Sequence, residues 1–196
     1  MRKKQIQRSR LNKAIADSAA TILSLSLAVD KIATVSEVII RALKAGGKIL
    51  TAGNGGSAAE SLHMAEEFTG RFRTNRKSLP AISLAADCTA LTCIGNDFGY
   101  EAIFSRQVEG LGGKGDLLII FSTSGNSPNL VRAMEAARKK KMTVISFLGR
   151  GGGSLAGKSD YEIIVESGVT ERIQEAHQVL IHLILDTLED AFPEGK

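Results

Sequence analysis

From Lys48 onward, short apolar runs alternate with amphipathic stretches. The runs at residues 48–52, 81–85, 117–121, 143–148 and 161–165 are short and mostly apolar, the pattern of parallel strands buried on both faces. Between them the spacing predicts helices over 57–69, 100–111 and 129–140, a short turn near Leu155, and a long C-terminal helix over 172–191. Gly151, Gly152 and Gly153, between a strand and Ser154, mark a turn. Strands alternating with helices in this way predict a doubly wound α/β sheet of five parallel strands flanked by helices.

Before Lys48 the chain reads as helix for more than forty residues, with Ile15, Ile22, Leu25, Val29 and Ile32 in one stretch and Val35, Val38, Ile39 and Leu43 in the next. A sheet already covered by its crossover helices has little room for this N-terminal extension, so its apolar positions call for another surface. That predicts a homo-oligomer with these helices packed centrally. Residues 1–196 are expected to form a single domain, with 1–46 as helices for oligomer packing and 47–196 as the α/β core.

Composition sharpens this picture by exclusion. A chain of 196 residues, 43% hydrophobic, is long enough for one sizeable core and short for two. No run of about 18 apolar residues occurs, and the basic start from Met1 to Arg10 lacks the apolar core of a secretory signal, so neither membrane nor export is expected. Cys88 and Cys93, five apart, match no zinc or thioredoxin spacing and suit a reducing cytoplasm. The net charge of +4 is modest. Its basic residues gather at the N-terminus (Arg2, Lys3, Lys4, Arg8, Arg10), read as a solvated end, and at Arg138 to Lys141, read as a helix end complementing its dipole. No nucleic-acid partner is expected.

In an open parallel sheet the ligand lies beyond the carboxyl ends of the strands. After the first strand come Gly53, Asn54, Gly55, Gly56 and Ser57, where small residues let backbone N–H groups approach a ligand and Ser57 is positioned to cap the next helix. After the third come Ser122, Thr123, Ser124, Gly125, Asn126 and Ser127, then Pro128, at a helix start whose dipole favours an anion. Capping needs one polar side chain rather than a cluster, so this second loop is the better phosphate site. Gly53, Gly55 and Ala58 also satisfy a G-x-G-x-x-A dinucleotide spacing, but Asp87 stands well beyond the usual interval of about twenty residues to the ribose-reading acid.

His63 and Glu67, four apart, share one helix face near the first loop and could share a metal or a proton. Glu60 and Glu66 are assigned to other, solvated faces. On the C-terminal helix, Gln174, Gln178 and His182 fall within an arc of roughly 80°, a polar stripe among apolar neighbours that suits a site or an interface. His177 lies roughly 140° from His182 and is read as structural.

Taken together, residues 53–57 followed by His63 and Glu67, then Gly95-Asn96-Asp97-Phe98, then residues 122–127, then Arg172-Ile173-Gln174-Glu175 and His182, resemble the phosphoheptose isomerase family, built on the sugar isomerase (SIS) domain. The likeness runs from about Leu11 to Leu188 in the same order. It implies a flavodoxin-like SIS fold, a cytoplasmic homotetramer, and conversion of sedoheptulose 7-phosphate to D-glycero-D-manno-heptose 7-phosphate for cell-envelope polysaccharide such as lipopolysaccharide. By the same resemblance the sugar phosphate would contact Asn54, Gly55, Gly56, Ser57, Glu67, Asn96, Asp97, Ser122, Thr123, Ser124, Ser127 and Gln174. One zinc per subunit would sit on His63, Glu67, Gln174 and His182. Glu171 stands where the family pattern has Asp.

Aldose–ketose isomerisation moves a proton between adjacent carbons through an enediol, and a desolvated carboxylate suits the base. Glu67 is assigned that role, and His182 either passes a proton to the sugar oxygens or binds the metal. SIS domains also serve as sugar-phosphate sensors and as an adaptor for the bacterial replication initiator. The adaptor branch, as the resemblance implies, lacks the counterparts of Glu67 and His182, both present here, which favours the enzyme.

Overall fold

The computed structural model describes residues 2–193. Met1 and residues 194–196, which the expected domain includes, lie outside the described residues, as do the side chains of Arg2 and Lys3 from the basic N-terminal run. The elements run α1 (Arg2–Ser24), a turn of 3-10 helix (Leu25–Ala28), α2 (Val29–Lys44), β1 (Ile49–Gly53), α3 (Gly56–Thr69), β2 (Ala81–Ser83), α4 (Cys88–Phe98) and α5 (Ser105–Leu111). They continue through β3 (Leu117–Ser122), α6 (Pro128–Lys139), β4 (Thr143–Gly149), β5 (Tyr161–Val165) and α7 (Thr170–Glu189).

All strands pair in parallel in the order β2-β1-β3-β4-β5. Because side chains alternate across a strand, the buried runs feed two cores at once. Ile49, Leu117, Ile119, Phe121, Ile145, Phe147 and Ile163 face α2, α3 and α7. Leu50, Ala52, Leu118, Ile120, Val144 and Leu148 face the opposite layer, where α6 contributes Leu130, Ala133, Met134 and Ala137. This is the expected five-stranded doubly wound sheet.

The order turns about at β1 and β3, which sit side by side although β2 lies between them in sequence, so their loops open a crevice at that point. Gly53 is in register with Phe121, and Ser122 with Leu148, so the tips end level. Both polar loops therefore emerge at one edge of the sheet.

Three expectations need correction. The predicted helix over 100–111 is a 3-10 turn (Tyr100–Ala102) followed by α5, and β2 stops at Ser83 because the chain turns there, Ala86 N–H donating to Ser83 O. Helix α4 was not predicted: only Leu91 and Ile94 turn toward the core, where they are partly buried, and none of its residues is fully buried. It begins at Asp87, whose carboxylate accepts from the N–H groups of Thr89 (2.8 Å) and Ala90 (3.0 Å), so the residue weighed as a ribose-reading acid is a helix cap.

Candidate active site

Two helices on the same face of the sheet bring the chemistry together. On α3, His63 and Glu67 stand one turn apart, with His63 Nε2 3.6 Å from Glu67 Oε1. On α7, His182 turns its Nε2 to within 3.2 Å of His63 Nε2. One ligand atom from each of His63, Glu67 and His182 lies within 4.8 Å of the others. Phe72 stacks on the His182 ring at 5.7 Å between centroids.

This donor set fits a zinc ion. Zinc favours imidazole nitrogen and carboxylate oxygen in a tetrahedron, whose donors, at bonds of about 2.1 Å, lie roughly 3.4 Å apart. The 3.2 Å and 3.6 Å separations are close to that. His63 Nδ1 faces Glu66 Oε2 at 3.7 Å, which favours a proton on Nδ1 and a lone pair on Nε2. Glu67 Oε2, buried, has no hydrogen-bond partner among the described residues.

Gln174 and Gln178 take different places. Gln178 Nε2 lies 3.2 Å from His182 Nε2, so this amide adjoins the cluster. Gln174 reaches the first loop: a Cβ on Gly56 would lie 2.0 Å from Gln174 Nε2. Glycine at 56 is what admits that amide.

Helix α3 opens at Gly56 with Gly55 before it, one residue earlier than expected, and Ser57 is buried and not the cap. Asn54 binds the two loops together. Its Nδ2 donates to Asn129 Oδ1 (2.9 Å), while its Oδ1 accepts from Asn129 Nδ2 (2.9 Å) and Tyr100 Oη (2.8 Å). Asn129 and Tyr100 were not singled out in the sequence, although the position of Asn129 directly after Pro128, at the start of α6, is a signal that could have found it.

The hydroxyl loop is held from within and from one side. Ser122 Oγ accepts from Gly125 N–H (3.0 Å) and Ser124 Oγ from Asn126 N–H (3.2 Å). Ser154 N–H donates to Asn126 Oδ1 (2.8 Å), and Ser154 Oγ donates to Gly125 O (3.1 Å). The glycine turn of 151–153 packs so closely that a Cβ on Gly125 would lie 1.9 Å from Gly152 O, and Gly125 has a φ of +64°. Ser127 precedes α6 with Pro128 in the first turn, and its side chain makes no capping bond. A polar loop with an uncommitted hydroxyl thus meets the positive end of a helix dipole, and Thr123 lies in the same loop, partly buried.

Asn96 and Asp97 lie apart from these contacts, on the last turn of α4. Both are exposed; Asn96 Nδ2 donates to Asp97 Oδ1 (2.8 Å), and Cys93 Sγ lies 3.7 Å from Asp97 Oδ2.

A further correction concerns Glu60. Instead of facing solvent it is 5% exposed, and its Oε2 lies 3.4 Å from Nδ1 of the fully buried His177. Seven residues from Glu67, it shares that residue's helix face, a spacing that could have revealed it. Arg76, also missed, caps the other end of α3, donating to Glu67 O (2.7 Å) and Phe68 O (3.0 Å). Burial pulls its pKa below the usual arginine value, opposed by the charges of Glu189 and Glu67.

Residues 14–149 match the family model of the SIS domain. The chain is 47% identical to the phosphoheptose isomerase of Yersinia pestis (strain Pestoides F) over 183 residues, 93% of this chain and 94% of the relative. The phosphoheptose isomerase of Serratia proteamaculans is 46% identical over the same shares. Among solved structures, the phosphoheptose isomerase of Neisseria gonorrhoeae superposes with a TM-score of 0.88 at 39% identity, covering 94% of this chain and 99% of that one. The Francisella tularensis enzyme gives 0.91 at 32% identity, covering 94% and 98%. With the family model matched over residues 14–149 and relatives 46–47% identical over nearly the whole length, the chain belongs to the phosphoheptose isomerases of the SIS domain family.

Proposed function

We propose that the chain interconverts sedoheptulose 7-phosphate and D-glycero-D-manno-heptose 7-phosphate by moving a proton between adjacent carbons through an enediol. The observation that carries this reading is the convergence of His63, Glu67 and His182 from two helices on one small volume. The hydroxyl loop of Ser122, Thr123, Ser124 and Ser127 binds the phosphate at the start of α6, and Gly55 and Gly56 offer backbone N–H groups to the sugar. Asn54 and Ser57 shape that first loop. Asn96 and Asp97 contribute from α4.

Glu67 is the base. Its Oε1 faces His63, Oε2 has no hydrogen-bond partner among the described residues, and the carboxylate takes the proton from one carbon and returns it to the next. His63, Glu67 and His182 would hold the zinc, with Gln174 as the fourth candidate ligand. When bound, it polarises the carbonyl and hydroxyl oxygens of the open-chain sugar. His182 acts as a ligand in this reading, because its Nε2 faces His63 Nε2 and a nitrogen whose lone pair is shared with a cation cannot also carry the proton. Gln178 Nε2, 3.2 Å from the same nitrogen, would have to turn away when that nitrogen binds the metal.

The enzyme works as a cytoplasmic homotetramer supplying heptose for cell-envelope polysaccharide. Exposed apolar residues on α1 and α4 support assembly. Among the described residues no helix is long and apolar enough to cross a membrane.

The test follows aldose phosphate formation from sedoheptulose 7-phosphate. Wild-type protein is expected to turn over, to lose activity to a chelator and to regain it with zinc. Glu67→Gln is expected to lose roughly 10²- to 10⁴-fold in rate. No turnover by the wild type with zinc supplied, together with binding to the replication initiator, would reverse the assignment in favour of an adaptor.

A further inference from the structure

Beneath the cluster lies a pair of ionisable side chains that the reaction does not use. His177 is 0% exposed and Glu60 5% exposed, and neither reaches the loops or the cluster through any hydrogen bond among the described residues. The His177 ring lies against Phe121 (5.9 Å between centroids) and Phe147 (6.5 Å), at the carboxyl ends of β3 and β4. Its two nitrogens bridge different elements: Nδ1 faces Glu60 Oε2 on α3 at 3.4 Å, and Nε2 faces the Leu148 carbonyl on β4 at 3.4 Å.

The carbonyl accepts only, so Nε2 carries a proton and one further proton is shared between Nδ1 and the Glu60 carboxyl. The ring is therefore fixed at both ends. Leu148 is the register partner of Ser122, the first residue of the hydroxyl loop. One short chain of contacts thus joins α3, which carries His63 and Glu67, to α7, which carries His182, and both to the strand tip beside the phosphate loop.

Packing alone does not account for it. A buried ion pair or acid–base pair gives back little more than its desolvation costs, and apolar residues of similar volume often stabilise a core more. Here Glu60 Oε1 also has no hydrogen-bond partner among the described residues, which adds to that cost. A directional link, unlike an apolar contact, fixes distance and rotation between the helices it joins.

We propose that Glu60 and His177 form a positioning pair that sets α3 against α7, and so holds Glu67 and His182 in register with the sugar bound at Ser122. The proposal rests on the assignment of Glu67 and His182 to the active site. Misplacement of reacting groups by about 1 Å can cost on the order of 10²-fold in rate.

The experiment compares Glu60→Gln with the double variant Glu60→Leu/His177→Leu, which fills the same space without polar atoms. Turnover number and KM are measured for the ketose phosphate, with thermal midpoint and molecular mass as controls of folding. In the folded double variant kcat is expected to fall roughly 10- to 100-fold while KM moves by less than about 3-fold, because the phosphate loop is untouched. Glu60→Gln is expected to restore most of kcat, since a carboxamide can donate to Nδ1 or accept from it. A folded double variant with kcat within about 2-fold of wild type overturns the proposal. So does a Glu60→Gln variant, folded and of wild-type mass, that is as impaired as the double variant. Glu67→Gln separates the two readings: if it too keeps wild-type turnover, the site assignment fails, whereas an inactive Glu67→Gln beside an active double variant removes the positioning role alone.

Discussion

The two oxygens of Glu67 stand in different surroundings: Oε1 faces His63 at 3.6 Å, while Oε2 is buried and has no hydrogen-bond partner among the described residues. Asp116, at the opposite edge of the sheet, shows the contrary case of a carboxylate whose bonds are all made. It accepts from Lys48 N–H (2.9 Å), Lys48 Nζ (2.5 Å) and Gly113 N–H (2.8 Å). Burial alone would raise its pKa, but those hydrogen bonds and the Lys48 charge outweigh burial, and the carboxyl sits below its usual range. The stability it confers is therefore complete above its unfolded value of about 3.9 and is lost as pH falls through the lower folded value. Asp116→Ala leaves two backbone donors unpaired and is expected to cost about 1–3 kcal/mol at neutral pH. Urea titrations at a series of pH values should show that gap narrowing below about pH 4; a gap that stays constant into acid would contradict the assignment. At this scale the sequence was informative where one local rule sufficed, as for His63 with Glu67 or residues 122–127. Glu60 was misread although its seven-residue spacing from Glu67 puts both on one helix face; that spacing marks the face, while the partner, His177, stands 117 residues away.

Among the elements, strands were the most legible. Continuous apolar runs such as 117–121 have few alternatives to a doubly covered strand, and β3, β4 and β5 lie within a residue of expectation. Helix α4 was hard to see for a physical reason: periodicity reports a helix through the face it buries, and α4 buries only Leu91 and Ile94, each in part, against this chain. Its Phe98, with Tyr100 just beyond, is more than half exposed, as are Leu11, Ile15, Leu23 and Leu27 on or next to α1. Helix α2, by contrast, covers Ile32, Val35, Val38, Ile39 and Leu43 in the chain's own core, so of the two N-terminal helices α1 is the one that leaves large apolar side chains exposed, and the proposed assembly is expected to use it. Replacing Ile15 and Leu23 by Glu is expected to lower the molecular mass measured by light scattering while leaving the far-ultraviolet helix signal nearly intact. An unchanged mass would place the assembly surface elsewhere.

For the whole molecule, topology accounts for the site. The reversal of strand order at β1 and β3 opens one crevice, and the register of their tips sets two polar loops side by side above it. Helices α3 and α7, both packed on one sheet face, then deliver an acid and two imidazoles from positions 119 residues apart at most. The sequence revealed the loops and each half of the cluster, and the resemblance joined the halves. Composition and periodicity could not have done so, since the contact between His63 and His182 depends on the packing of whole helices.

Central to the account is that Glu67 carries a proton between sugar carbons through an enediol, and running the isomerisation in deuterium oxide tests this most directly. Nuclear magnetic resonance should find deuterium at the aldose carbon next to the carbonyl, with the labelling rate lost together with turnover in Glu67→Gln. Aldose formed without solvent label, as a direct hydride shift would give, or labelling at the wild-type rate without the Glu67 carboxylate, would contradict it.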